Sequence, residues 1–372
     1  MIRSIRVSNF KSLQDVTCPL GMLNIFTGLN GMGKSTFLQV LLLLVQTLER
    51  PQLLGKGLLL NGPLISLGRG KDVLCDYADN EIITFHLIWD DQAELLLECH
   101  ADAVSDILTY NSNDEMRQGW NRLGEDSFHY IPSERITPQT VYPASLSSIR
   151  EYDVLGQHGE YTAHYIAEYA LSSLRIPGLK HPQSSSLTLL TNIDAWMGEI
   201  SPNIRVCANY NQNSNTVSLG YKFNFGTNVS DEYKPQNVGF GITYVLPVVT
   251  SLLKSRPGEI LIIENPETYL HPAGQSVLGR LCALAAANGV QLLIETHSDH
   301  FINGVRVAVK QKTTPVENTK IYYVEPQTGE NSHKRDMQAI NIDEYGRLDN
   351  LPKGFCDEWD NMLDKLLGYD EL

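Results

Sequence analysis

The 372-residue chain is poor in several features that would assign it quickly. It has no apolar run near the ~18 residues that a membrane-spanning helix needs. The longest candidate, Leu38–Val45, is short and is broken by Gln39. The opening MIRSIRVSNF holds no apolar core of a secretory signal. Cysteine is sparse: Cys18, Cys75, Cys99, Cys207, Cys282 and Cys356 are scattered, with no C-x-x-C pair and no metal-ligand spacing. Such cysteines read as reduced thiols of a cytoplasmic protein. Positive charge is also short, with 29 Lys+Arg against 43 Asp+Glu and a net charge of −14. That excludes a chain that coats nucleic acid or an anionic membrane through its overall charge. Any nucleic-acid contact is left to a local patch or to another chain. There is no sustained heptad, internal repeat or low-complexity tract, so no long coiled coil is expected. The length does allow about two domains with real cores.

Along the chain the texture changes twice. Residues 1–100 alternate short apolar strands with turns. Ile2–Val7 and Met22–Thr27 read as strands, and Ser35–Glu49 as a helix apolar nearly all round, hence covered on both sides. Ile82–Trp89 and Glu94–Cys99 flank Asp90 and Asp91 as a hairpin would. Residues 101–234 are richer in Ser, Asn, Tyr and Pro and are expected to form an inserted, mainly helical domain, with one helix over Tyr161–Leu174. Residues 235–325 return to α/β texture. Ile260–Ile263, the helical stretch Ala273–Ala287 and Gln291–Ile294 make a β-α-β order that suggests a parallel sheet, and Ile321–Val324 is a further strand. In the short closing segment, 326–372, one helix places Phe355, Trp359, Met362, Leu363, Leu366 and Leu367 on one face, expected to dock on the body.

Gly28-Leu-Asn30-Gly31-Met32-Gly33-Lys34-Ser35-Thr36 fits G-x-x-x-x-G-K-[ST] without a gap, between a strand and a helix. Glycines let the backbone wrap phosphates, and the amides at the helix start point at the anion. Lys34 would reach the β- and γ-phosphates, and the Ser35 hydroxyl would ligate Mg²⁺. The loop by itself does not choose among kinases, GTPases and ATPases. The stretch Glu259–Glu267 is an apolar strand ending in Glu264, Asn265, Pro266 and Glu267, where a carboxylate can hold the water shell of Mg²⁺. Leu292–Ser298 is another strand, ending in His297, where a polar group could touch a γ-phosphate.

Those motifs carry a resemblance. With Asn9–Leu13, Tyr130–Pro138, Val238–Thr243, the run ENPETYLHP, the run ETHSDHFINGVR and Gly346–Leu348 followed by Gly354, Phe355, Glu358 and Trp359, the chain resembles ABC-type ATPases of the SMC/RecF/OLD-like branch. More closely it resembles compact bacterial ATPases annotated with the AAA family and a short C-terminal domain of unknown function. The resemblance implies an α/β fold: a P-loop NTPase of ABC/SMC-head type with antiparallel N-terminal strands and an inserted domain. It implies ATP and Mg²⁺ as cofactors, and a homodimer that sandwiches two ATPs. In that arrangement Val238–Thr243 is a degenerate signature whose Gly239 and Gly241 face the partner's γ-phosphate, His297 is the switch histidine, and Pro266–His271 is the loop across the dimer interface.

Two departures from the family pattern matter. The signature's usual serine and Gln or Glu are replaced by Gly239 and by an apolar residue or threonine, which leaves Thr243 or backbone to make the contacts. The second acid of the acidic strand, the general base of the family, is replaced by Asn265. Asn can hydrogen-bond a water but cannot take its proton. Glu264 is then the Mg²⁺ carboxylate and Glu267 the nearest acid that could act as base, so hydrolysis is expected to be slow or partner-activated. Ser133-Glu134-Arg135 reads either as a contact to nucleotide, subunit or partner, or, more simply, as an Arg–Glu brace at the root of the insertion. Leu67–Asp72 is basic and Gly-rich and reads either as help at the phosphates or, more simply, as a solvated turn. Asp343, Glu344, Asp349, Asp357 and Glu358 read as a solvated acidic face and not as a metal site. The segment after the His297 strand is too short for the nuclease domain of OLD-type relatives, and no Ser/His/Asp, Cys/His or His-Asn-His grouping is visible. Three functions remain. The first is the sensor subunit of an anti-phage defence complex with a separate nuclease or toxin, as in Septu-like, Gabija-like and retron-linked systems. The second is a DNA-repair or SMC-like ATPase that grips DNA. The third is a nonenzymatic ATP-gated scaffold.

Overall fold

Leu23–Gly28 is a short run, apolar apart from Asn24 and Thr27, and in the computed structural model it forms a strand buried along its whole length. The structure describes residues 1–29, 31, 33–326, 335–349, 351–352, 355 and 358–367. They fall into two units: Ile2–Leu123 with Thr319–Leu372, and Gly124–Asn318 with Met1.

In the first unit, Leu23–Gly28 pairs in parallel with Thr319–Pro326, Ile25 opposite Ile321 and Gly28 opposite Val324. A parallel strand covered on both faces needs a mostly apolar stretch: Leu23, Ile25 and Phe26 supply it in one strand and Ile321–Val324 in the other, while the buried Asn24 side chain bonds the Gly21 backbone. Arg335–Ile340 adds antiparallel to Thr319–Pro326. The following helix, Lys34–Leu48, buries Phe37, Leu38 and Val40 through Leu44, as its all-round apolar sequence demands. Phe26 stacks on Phe37 at 4.9 Å and on Tyr322 at 5.5 Å between ring centroids. A second, antiparallel sheet runs in the order Leu13–Pro19, Ile2–Phe10, Ile82–Trp89, Glu94–His100, Ile107–Thr109, Gly57–Leu59. Its strands alternate: Ile83, Phe85, Leu87, Trp89, Leu95, Leu97 and Cys99 are buried, while Glu94, Glu98 and His100 face water. One apolar and one wet face is the signature of an antiparallel sheet packed on a single side. The expected hairpin is present, with Gln92 supplying a left-handed residue in its turn.

The second unit has its own parallel ladder of Ser127–Ile131, Glu259–Glu264 and Gln291–Glu295. Ile262 lies between Tyr130 and Leu293, and Glu264 is level with Glu295. Helices Phe240–Lys254, Pro272–Ala287 and Asp299–Lys310 belong to this unit, and the β-α-β order read from the sequence holds. The stretch 101–234, expected to be mainly helical, is mixed. Helices Leu146–Arg150, Thr162–Tyr169 and Leu189–Ile200 accompany an antiparallel sheet of Val141–Pro143, Ile204–Asn211, Thr216–Phe225 and Asn228–Val229, and Ser127–Ile131 joins the parallel ladder. The missed signal is a period of two: Ile204 and Val206, and Val217, Leu219 and Tyr221, are buried at alternate positions. The helix expected over Tyr161–Leu174 stops at Tyr169, and Leu174 instead donates its amide to Leu187.

The last helix, Glu358–Leu367, exists, but Met362, Leu363, Leu366 and Leu367 are exposed, Leu366 at 84%. The expected docking of that stripe is therefore not seen among the described residues. Phe355, just upstream, is buried with its ring 5.6 Å from Tyr323. Gly354 and Asp357 and the side chains of Glu358 and Trp359 lie outside the described residues. No helix among the described residues is long and apolar enough to cross a membrane.

Gly28 closes the buried strand at φ +140°, and a Cβ there would lie 2.4 Å from the Val324 carbonyl oxygen. Forcing a methyl against main chain in a filled core costs about 1–3 kcal/mol, before the cost of the left-handed backbone. Gly28→Ala should therefore lower the thermal midpoint by several degrees, measured by circular dichroism melting; an unchanged midpoint would contradict this close approach.

Candidate functional site

The phosphate-loop residues lie in the first unit. Gly31 has φ +75° and Gly33 φ +93°, and Gly33 is the N-cap of Lys34–Leu48. The first amides of that helix have no intrahelical acceptor, which makes the loop–helix junction a natural anion cradle. Lys34 is 3% exposed and its Nζ donates to the Leu29 carbonyl at 2.6 Å. Thr36 is buried and donates its amide to Gly33 O at 3.0 Å. Asn30 and Met32 lie outside the described residues. The Asn9–Leu13 segment, which entered the sequence reading without a role, reaches this loop. Asn9 and Lys11 adopt left-handed φ. A Cβ on Gly33 would sit 2.5 Å from Ser12 Oγ, an oxygen buried without a partner among the described residues. Lys11 Nζ donates to Gln39 of the helix at 2.7 Å, and burial pulls that ammonium down from its ordinary range.

The acidic residues lie in the second unit, at the carboxyl ends of its parallel strands. Glu264 is half-buried, and its Oε2 accepts from the Ser133 amide at 3.3 Å. The Tyr130 phenol sits beside it; burial and the Glu264 carboxylate both raise that phenol's pKa, so it stays protonated. Asn265 has φ +44°, a conformation Asn tolerates better than most residues. Its amide donates to Glu295 O at 2.8 Å, and its Oδ1 is buried without a partner among the described residues. Glu267 is 8% exposed: Oε1 accepts from the His297 amide at 2.9 Å, and Oε2 is orphaned among the described residues. Burial raises the Glu267 pKa, and the His297 amide offsets only part of that rise. His297 itself is exposed, at the end of its strand. Glu264, Asn265, Glu267 and His297 are thus brought together.

The signature segment sits beside them. Gly239 is the exposed N-cap of Phe240–Lys254, and Gly241 is buried against the loop, where a Cβ would lie 2.3 Å from Tyr269 O. Thr243 is buried and receives the Tyr221 hydroxyl at 3.0 Å, so it is not a free surface hydroxyl.

Arg135 departs from the simpler sequence reading. Glu134 is exposed, whereas Arg135 is buried and directs its guanidinium at main-chain oxygens. Nη2 donates to Glu264 O at 2.5 Å and to Asn265 O at 2.9 Å. Burial pulls the guanidinium down to about 10. Sequence proximity had suggested Glu134 as its partner; the actual partners are more than a hundred residues away. The sequence leaves Ser133 and Arg135 between a site contact and a brace, Tyr130 stands only within the Tyr130–Pro138 motif, and Tyr244 is missed altogether, since nothing in its sequence neighbourhood marks its hydroxyl bonds to Ser133 and Arg135. The Leu67–Asp72 segment is only partly the solvated turn expected: Arg69, Lys71 and Asp72 are exposed, but Leu67 and Gly70 are buried and Gly70–Val73 is a short helix, with Asp72 accepting from the Arg69 amide at its start. Asp343 and Asp349 are exposed and accept backbone amides of their own turn.

The Glu267 pKa carries a sign. A carboxyl raised in the folded state contributes stability that is present below its ordinary range and is lost as pH rises through the raised value. Glu267→Gln keeps an oxygen for the His297 amide and removes the titration. The variant's thermal midpoint should therefore gain on the wild type as pH rises from about 4 to about 8, read from melts across that range; a difference independent of pH would place the carboxyl in its ordinary range.

Comparison with known proteins bears on both units. A family described as "AAA domain, putative AbiEii toxin, Type IV TA system" matches residues 103–303, one described as "AAA ATPase domain" matches residues 1–118, and "Protein of unknown function (DUF3696)" matches residues 315–366. An OLD nuclease of Thermus scotoductus (strain ATCC 700910 / SA-01) is 23% identical over 326 residues, 81% of this chain. The chain spans 60% of that relative's length. Among solved structures, an SMC head bound to the C-terminal winged-helix domain of ScpA has a TM-score of 0.56 at 12% identity, covering 92% of this chain and 98% of that one. A Pyrococcus furiosus SMC head with an extended coiled coil, bound to the C-terminal domain of ScpA, has a TM-score of 0.51 at 13% identity, covering 98% and 99%. These likenesses show the fold, that of an SMC-head P-loop NTPase with mixed α/β sheets. With the matched profile spanning more than half its length, the chain belongs to the AAA domain family, on an ABC/SMC/OLD-like ATPase fold.

Proposed function

We propose that this chain is an ATP-binding, slowly hydrolysing ABC-type ATPase that pairs with a second copy around ATP. In this reading it serves in the cytoplasm as the sensor or switch subunit of an anti-phage defence complex with a separate nuclease or toxin chain. The observation that carries the nucleotide reading is the strand–loop–helix of Gly28–Thr36, with Lys34 buried at the mouth of an anion-favouring helix start. Asn30, Gly31, Met32, Gly33 and Thr36 would cradle the phosphates, and Lys34 would hold the β- and γ-phosphates. Ser35 and Glu264 offer the hard oxygen donors that Mg²⁺ takes alongside phosphate and water. When bound, Mg²⁺ would offset charge on the transferring phosphoryl group. His297 would contact the γ-phosphate, and Gly239 and Gly241 would serve the partner's nucleotide. The second copy links ATP binding to pairing, since each ATP would touch both subunits.

Glu267 is the proposed general base. Burial raises its pKa and so makes the carboxylate a stronger proton acceptor, and Oε2 has no competing partner among the described residues. Asn265, at the position of the usual second acid, can only orient water. We therefore expect turnover by the purified chain below about 1 s⁻¹, the low end of the enzyme range, in a phosphate-release assay; fast turnover by the chain alone would refute that expectation. Lys34→Ala should abolish nucleotide binding in a fluorescent-nucleotide titration. Glu267→Gln should lower kcat by about a hundredfold with little change in KM, and an unchanged rate would remove it from the role. Copurification with products of neighbouring genes tests the effector; a lone homodimer weighs against it. The likeness to SMC heads favours, as a second reading, a DNA-bound SMC-like ATPase, against which the net charge of −14 counts. Salt-dependent DNA binding by the purified chain would support that reading. Asn265 favours a third, an ATP-gated scaffold without turnover, in which binding persists while hydrolysis stays at background.

A further inference from the structure

A cavity of about 200 Å³ opens between the helices Thr162–Tyr169, Leu189–Ile200 and Phe240–Lys254. All of its walls belong to the unit Gly124–Asn318. It lies at the last residue of Phe240–Lys254, so a 15-residue helix, about 22 Å long, separates it from Gly239. Tyr165 and Tyr169 form one wall, their ring centroids 4.6 Å apart. The buried Leu189 and Leu253 extend the apolar lining, and Arg175 and Lys254 supply charge.

The cations there outnumber their partners. The Lys254 ammonium is buried, donates to Asp153 O at 2.6 Å and lies over the Tyr165 ring at 5.6 Å. Arg175 grips the Asp153 carboxylate with both Nη atoms and donates to Lys254 O at 3.0 Å. A guanidinium has five N–H donors, and those three bonds leave two for another acceptor. Arg256 comes within 3.7 Å of the same carboxylate, so Asp153 serves three cations at once. Glu259, the next carboxylate, is shared between Arg256 and His129. Burial pulls the Lys254 ammonium down from its ordinary range, and Asp153 and Glu259 offset only part of that fall. In a chain of net charge −14, this corner is short of negative charge. Buried cations are stable only when paired and hydrogen-bonded.

The shape narrows what could supply that charge. Protein interiors rarely keep a void of this size. A cavity of roughly 150 Å³ takes a benzene ring, so this one has room for a six-membered ring and one small substituent. Tyrosine rings and leucines suit the ring. The spare donors of a guanidinium suit a carboxylate, whose two oxygens match its fork.

We propose that this cavity binds a small aromatic monocarboxylic acid, with its ring against Tyr165 and Tyr169 and its carboxylate on Arg175 and Lys254. Such binding goes beyond the ATPase reading and does not depend on it.

Benzoate is the probe. Calorimetric titration of the full chain should give a Kd of about 0.1–1 mM, the range open to so small a ligand. Benzamide has the same shape without the charge and should bind about tenfold more weakly, the scale of a hydrogen bond to a charged group. Ser173 is exposed on the lining, so Ser173→Trp fills the cavity without touching the charges and should abolish binding. Arg175→Gln keeps an N–H donor, removes the charge and should weaken benzoate about tenfold. No binding of benzoate up to about 10 mM overturns the proposal. Equal affinity for benzamide overturns it too, since the cations would then play no part. Undiminished binding by a folded Ser173→Trp variant places benzoate elsewhere and overturns it as well. Inorganic phosphate that displaces benzoate with equal affinity would make this a general anion site and rule out the aromatic acid. Should Ser173→Trp fail to fold, undiminished affinity in Arg175→Gln overturns the proposal equally. A chain that takes benzoate but no ATP would fell the ATPase reading alone.

Discussion

Parallel pairing of strands that are buried along their whole length is the constraint on which the rest depends. Such a strand has no wet face, so its charged residues collect where it ends. Leu23–Gly28 ends in the glycines of the phosphate loop, held level with Val324. Glu259–Glu264 ends in Glu264, level with Glu295 of the next strand, whose own continuation is His297. Within each unit the register therefore sorts the chain into an apolar ladder and a polar rim, and the chemistry collects on the rim without any strand carrying a charge through the core.

The rim of the second unit shows how a mostly apolar core tolerates charge. Arg135 is buried without a carboxylate in its grip; carbonyl oxygens at the end of the acidic strand and the face of Tyr244 take that place. Carbonyls freed at a strand end would otherwise lie unpaired, at a cost of about 1–3 kcal/mol each. The guanidinium satisfies them and holds the left-handed Asn265 at the same time. Glu267 is the converse case, a carboxylate buried with one oxygen on the His297 amide and a pKa pushed up by its surroundings. A group kept in that condition is suited to proton transfer and poorly suited to stability.

The local motifs were legible because each depends on residues adjacent in the chain. The loop Gly28–Thr36, the hairpin of Ile82–Trp89 with Glu94–His100, and the β-α-β order around Pro272–Ala287 all appear where periodicity and turn chemistry put them. The sheet of Ile204–Asn211 and Thr216–Phe225 was hidden by a composition rich in Asn, Ser and Tyr, although its alternation was present. The stripe of Met362, Leu363, Leu366 and Leu367 was visible as a pattern, but amphipathicity states only that a face is apolar and says nothing of what covers it.

The sequence by itself determined the phosphate loop, the acidic and histidine strand ends and the replacement of an acid by Asn265, since these are matters of residue type and spacing. Only the tertiary structure decided that Ser12 lies against Gly33, that Arg135 serves Glu264 and Asn265 in place of Glu134, and that Tyr244 stands between them and the exposed ring of Tyr269. The physical reason is the same in each case. A long-range contact, whether a close approach, a ring contact or a hydrogen bond to a main-chain carbonyl, leaves no mark on the residue that supplies it, so such partners can be found only once the backbone is in place.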